Sequence, residues 1–121
     1  MSDAPTILDL PPAPPHLAND PVLRRAKEGL RRIYGERLAG VVLYGSRARG
    51  DQRPDSDYDI LVLLKDHGRE HKPSHRLNEL ALELFDFGPP EVEVNFLPLD
   101  EDALARRTIF THNVREEGFR L

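Results

Sequence analysis

Cysteine is absent from the 121 residues, so neither disulfides nor thiolate metal centres can hold this chain together. No apolar stretch approaches the roughly 18 residues that a membrane span needs. No basic start followed by an apolar run marks a secretory signal. A cytoplasmic location is the expectation that follows. Excess positive charge is missing as well: the net charge is -4, which argues against a nucleic-acid partner held by a general basic field. What remains, 39% apolar and 31% charged residues, is the composition of an ordinary globular protein. The length suits one domain and not two.

Proline is plentiful but uneven. Of the 11 prolines, Pro5, Pro11, Pro12, Pro14, Pro15 and Pro21 fall near the start. Proline fixes φ and donates no hydrogen bond. Residues 1–19 are therefore expected to form a proline-rich arm, partly polyproline II, ahead of a domain over 20–121. Two readings of the arm stand open. It is a loose leader, as chain ends commonly are, or a docking arm that buries Ile7, Leu8, Leu10 and Leu17.

Asp20-Pro21 signals a helix start, with Asp20 as N-cap and Pro21 in the first turn. Val22, Ala26, Leu30 and Ile33 recur at helical spacing up to a cap at Gly35. Val41 to Tyr44 is an unbroken apolar run, the pattern of a strand buried on both faces, and the apolar run Ile60 to Leu64 marks a second strand over Tyr58 to Leu64. Between them lie a helical turn from Ser46 to Arg49 and a polar loop containing Pro54. A polar connection over 65–73 leads to Ser74, an N-cap for a helix with Leu77, Leu80, Ala81, Leu84 and Phe85 on one stripe. Glu91 to Leu97 alternates with period two and predicts a half-buried strand. Asp100 is expected to cap a helix through Ala103, Leu104 and Arg107, and a last helical piece runs from about His112 to Gly118. The sum is an α/β (α+β) arrangement: a small central sheet covered by helices. The relative direction of the first two strands stays open.

The chemistry gathers between Gly45 and Asp59. Asp57 and Asp59, two apart at the head of a strand, point to one face. Two neighbouring carboxylates repel unless a positive charge sits between them. A hard cation such as Mg²⁺ takes oxygen ligands and commonly keeps phosphate oxygens in its shell. Gly45 and Ser46 supply a complementary turn: glycine permits close backbone approach, and the serine hydroxyl adds a donor beside the N–H groups. Arg47 and Arg49 follow, suited either to phosphate charge or to plain surface. A nucleoside triphosphate with Mg²⁺ satisfies both halves at once. A third carboxylate would complete a two-metal site. Glu93, on the polar side of the next strand, is the first choice, with a further role as base for an acceptor hydroxyl; Glu91 shares its face. Tyr58 and Tyr44 read as packing. His67, His71 and His75 recur every fourth residue, but Gly68 and Pro73 interrupt any helix that would make them a metal face.

Gly45-Ser46, ten intervening residues, then Asp57-Tyr58-Asp59 resembles the signature of the DNA polymerase beta-like nucleotidyltransferase superfamily. The flanking Leu43 to Gly50 and Asp55 to Val62 are similar to its minimal nucleotidyltransferase (MNT) branch. The resemblance runs from about Val22 to Leu97. It implies a palm-like fold with a mixed sheet and transfer of a nucleoside monophosphate from a triphosphate. Many minimal members pair, as antitoxin, with a HEPN-domain ribonuclease toxin, and some place AMP on one of its tyrosines. In the family the third acid is usually aspartate on the strand that here contains Glu93. Two rival readings remain: a module of this fold that neutralises a toxin by contact alone, and a small-molecule, antibiotic-type nucleotidyltransferase.

Overall fold

The computed structural model describes residues 6–66 and 75–121. The cap expected at Ser74, the connection over 67–73 and the histidines His67 and His71 lie outside the described residues. Four strands form one sheet: β1 (Leu38–Tyr44), β2 (Tyr58–Leu64), β3 (Val94–Asp100) and β4 (Phe119–Arg120), in the order β3-β2-β1-β4. Among the described residues five α-helices accompany them: α1 (Pro15–Ala18), α2 (Pro21–Tyr34), α3 (Ser46–Arg49), α4 (His75–Asp86) and α5 (Ile109–Glu117). The sheet is mixed, and the class is α+β. β1 runs antiparallel to β2 and to β4, while β2 and β3 are parallel. The link between β1 and β2 carries only the one-turn α3, and the two strands fold back on each other as an antiparallel pair. The link from β2 to β3 contains α4, which supplies the length a parallel return requires.

β2 lies between β1 and β3 and is buried at every position except Asp59, which is half-buried. Its alternate residues feed two cores. Ile60, Val62 and Leu64 pack with Leu23, Ala26 and Leu30 of α2 and with Leu77, Leu80 and Leu84 of α4. Leu61 and Leu63 pack on the opposite face with Val42, Leu104 and Val114. Each fully buried aliphatic side chain of this kind contributes about 1.5–3 kcal/mol. The helix starts follow the expected chemistry: Asp20 Oδ1 accepts from the N–H groups of Val22 (2.8 Å) and Leu23 (3.2 Å), and Gly35 closes α2 with φ 54°.

The structure differs from the sequence reading at several points. β3 starts at Val94 and runs to Asp100, three residues beyond the expected Glu91–Leu97 strand. β3 continues through Pro98 as an edge strand, where a missing N–H costs no ladder bond. Asp100 therefore pairs with Leu64 in the ladder, and the N-cap position of the turn that follows is Asp102. The helix expected after it shrinks to a single 3₁₀ turn, Ala103–Ala105. α5 begins at Ile109, earlier than expected, under a capping box made by Thr108 and Thr111. β4 is too short to leave a periodic pattern.

The beginning of the chain is packed against the domain. Leu10 and Leu17 are 3% and 5% exposed, and Ile7 lies directly over Gly40. Ala13 N–H donates to the Arg120 carbonyl at 2.9 Å, and Arg120 N–H to the Pro11 carbonyl at 3.0 Å. Residues 7–17 thus touch the domain at these points. Leu8, 77% exposed, is the one of the four apolar side chains that docks on nothing.

Candidate active site

Gly45 ends β1 with φ 81° and ψ -159°, a conformation open essentially to glycine alone. A side chain here is excluded a second time, because a Cβ would overlap the Asp59 carboxylate, whose Cγ would lie 3.3 Å away. Asp59 is thus laid over the turn. The register of β1 against β2, which pairs Tyr44 with Asp59, puts it there. Burial, and then Asp59, push the Tyr44 phenol above its ordinary range.

After Gly45 the chain turns into α3. The N–H groups of Ala48 and Arg49 both return to the Gly45 carbonyl, at 3.1 and 3.0 Å. Among the described residues, the N–H groups of Ser46 and Arg47 and the Ser46 hydroxyl have no protein acceptor. They are the donors that the turn leaves available. Gly45 N–H is occupied, donating to Glu117 Oε1 of α5 at 3.0 Å. The other oxygen of Glu117 receives Arg49 Nη1 at 3.1 Å. Arg49 also reaches Asp51 at 3.2 Å. Its guanidinium is held further above its usual range, first by the Glu117 hydrogen bond and then by Asp51.

Arg47 has a different position. Its Nε donates to the Ser56 carbonyl at 3.0 Å and Nη2 to the Pro54 carbonyl at 3.1 Å. Its guanidinium stacks on the Tyr58 ring at 3.9 Å, an attractive cation–π geometry. Tyr58 in turn donates its hydroxyl to Asp20 Oδ2 at 2.8 Å. Burial, and after it this bond, hold the phenol well above its ordinary range. Arg47 and Tyr58 together tie the loop before Asp57 to the start of α2. Tyr58 is packing, as its alternation implies.

Asp57 and Asp59 are brought together on one face. A single group touches both: Asn95 Nδ2 donates to Asp59 Oδ1 at 3.2 Å and to Asp57 Oδ2 at 3.5 Å. Both bonds are long, so they hold the pair loosely. Among the described residues neither carboxylate has a Lys or Arg within ion-pair distance. Two close, unpaired carboxylates with oxygen-only donors match the preferences of a hard divalent cation.

Glu93 is one β repeat from Asn95: its carbonyl accepts from Tyr58 N–H at 2.9 Å, and together with Asn95, Leu82 and Phe85 it lines a surface cavity of about 330 Å³. Glu91 is exposed. Among the described residues no three His, Cys, Asp or Glu side chains gather as a metal-ligand group, so the expected convergence of three acids is not assembled. The parallel register sets Asn95 opposite Asp59 and leaves Glu93 one step outward. Sequence reasoning missed two participants. Asn95 was visible as a member of the polar face of β3, but its register was not. Glu117 lies 72 residues from Gly45, with no local pattern to link them.

A structure titled as a toxin-antitoxin with AMP-PNP superposes with a TM-score of 0.52 at 24% identity, over 78% of this chain and 68% of that one. A toxin-antitoxin MntA-HpeT mutant gives 0.52 at 24%, over 81% and 70%. At such identity the likeness is one of fold. A Methanocaldococcus jannaschii protein named "Putative protein adenylyltransferase" is 38% identical over 45 residues, which is 37% of this chain and 46% of that protein. The chain thus spans about half the length of that relative. The model of the nucleotidyltransferase domain family matches residues 23–115, which takes in the turn, the carboxylate pair and all of β3, and the chain belongs to that family.

Proposed function

We propose that the chain is a Mg²⁺-dependent nucleotidyltransferase that moves AMP from ATP to a hydroxyl of a partner protein, as the antitoxin of a HEPN/MNT toxin–antitoxin pair. One observation carries this reading: two carboxylates with no Lys or Arg partner among the described residues share one Asn95 donor and lie against a Gly-Ser turn that leaves the Ser46 N–H and hydroxyl available. The adenylyltransferase name of the M. jannaschii relative and the AMP-PNP of a structural neighbour support an adenine nucleotide. The toxin–antitoxin neighbours support the partner.

In this reading Asp57 and Asp59 are the metal ligands. When bound, Mg²⁺ would neutralise phosphate charge and polarise the α-phosphate. Gly45 lets the triphosphate approach the backbone, and the Ser46 N–H and hydroxyl donate to its oxygens. Arg49, about half exposed at its side chain, adds positive charge at the rim. Arg47 acts through the shape of the loop. The acceptor oxygen attacks the α-phosphorus, the bond from that phosphorus to the pyrophosphate oxygen breaks, and pyrophosphate leaves with the electron pair. The hydroxyl proton passes to a carboxylate of the site or to solvent.

A second reading, neutralisation of the partner by contact alone, is favoured by the lack of a third carboxylate beside the pair among the described residues. The test mixes the protein with ATP labelled at the α-phosphate, Mg²⁺ and a candidate HEPN toxin. A labelled toxin, lost with Asp57→Ala plus Asp59→Ala, is the expected result. A double variant that still protects cells as well as the parent would establish contact as sufficient.

A further inference from the structure

The place beside Asp57 and Asp59 that a third acid would fill is taken by an amide. Asn95 stands opposite Asp59 in the parallel ladder, and its Nδ2 faces both carboxylates. A carboxylate at this position would add a third negative charge to a pair that already lacks a basic partner among the described residues. The amide does the reverse: it presents the positive end of its dipole and two N–H donors. It thus stands where a cation would stand, and it lowers the repulsion that otherwise holds the two acids apart.

Resting on the metal-site reading above, we propose that Asn95 is a positioning residue that caps the Asp57–Asp59 pair in the metal-free protein. It also keeps the third position uncharged, so that the site holds a single divalent cation and holds it weakly. Two consequences follow. A cation entering the site displaces the amide from at least one carboxylate, so part of its binding energy is spent on that exchange. With Asn95 in place the site also lacks the third charge that would draw in a second cation, because affinity in oxygen-ligand sites rises with the number of charged ligands.

The test uses the full chain and Mn²⁺ alone, with free Mn²⁺ counted by electron paramagnetic resonance. Asn95→Asp should bind Mn²⁺ about tenfold more tightly than the parent or take up a second ion. Its metal-free form should melt at a lower temperature, because three acids then meet. Asn95→Ala covers the case in which the aspartate variant fails to fold. It should melt below the parent in chelator and gain more from added Mn²⁺ than the parent does. Unchanged Mn²⁺ affinity and unchanged Mn²⁺ stabilisation in both variants would overturn the role of Asn95, provided that Asp57→Asn with Asp59→Asn abolishes binding. Binding that survives this double substitution would instead overturn the metal site itself, and the Asn95 inference with it.

Discussion

Glu117 is the support of the phosphate-side turn that is easiest to test. Its carboxylate accepts the N–H of Gly45 at 3.0 Å, and Gly45 is buried. Glu117→Ala leaves that donor without its acceptor, which costs about 1–3 kcal/mol. The pair with Arg49 stands in solvent, so screening leaves it a small share of the effect. Glu117→Gln keeps an acceptor for Gly45 and loses only charge assistance, so it should cost about 1 kcal/mol or less. Urea unfolding followed by circular dichroism separates the two variants. Binding of a non-hydrolysable ATP analogue should weaken in the same order, because the turn that presents Ser46 loses its anchor. If Glu117→Ala unfolds within about 0.5 kcal/mol of the parent and binds nucleotide as well, α5 does not hold the turn.

Asp57→Asn with Asp59→Asn should reduce nucleotide transfer at least about a hundredfold while moving stability by no more than about 1 kcal/mol; a correctly folded, fully active variant would contradict the assignment. Tyr58→Phe removes the bond to Asp20 and should cost about 0.5–1.5 kcal/mol at neutral pH. The Tyr58 phenol is held above its ordinary range, so its contribution is whole below about pH 10 and is lost as pH rises through the folded value. The alkaline branch of a stability–pH curve should therefore flatten in Tyr58→Phe, and a slope as steep as the parent's would refute the coupling. Leu17→Ala should cost about 2–5 kcal/mol, whereas Leu8→Ala should cost under about 0.5 kcal/mol. Equal small losses in thermal melts would show that residues 6–19 do not dock.

Much of the site was legible because its halves are local. The turn at Gly45-Ser46 and the alternation of Asp57 and Asp59 depend on neighbours within a strand or a loop, and glycine's freedom and the two-residue period act at that range. The core stripes of α2 and α4 were legible in part for the same reason: Ala26, Leu30, Leu77, Leu80 and Leu84 are buried, but Phe85 is 40% exposed and the buried Leu23 lay off the expected stripe. The pairing of distant segments was not. Which residue of β3 stands beside Asp59 depends on register, and a slip of one β repeat exchanges Glu93 for Asn95. The extension of β3 through Pro98 was not legible, because sequence does not show which strand is an edge. Glu117 needed α5 to be docked, and Leu10 and Leu17 needed β4 to pair beside them. In each case tertiary packing fixed what local pattern left open.

The most direct single measurement is a calorimetric titration of a non-hydrolysable ATP analogue into the full chain, in Mg²⁺ and in chelator, repeated with Asp57→Asn plus Asp59→Asn. Saturable binding that requires both Mg²⁺ and the two aspartates is the expected result. Nucleotide bound equally well in chelator, or by the double variant, would contradict a cation-bridged triphosphate between the aspartate pair and the turn at Ser46.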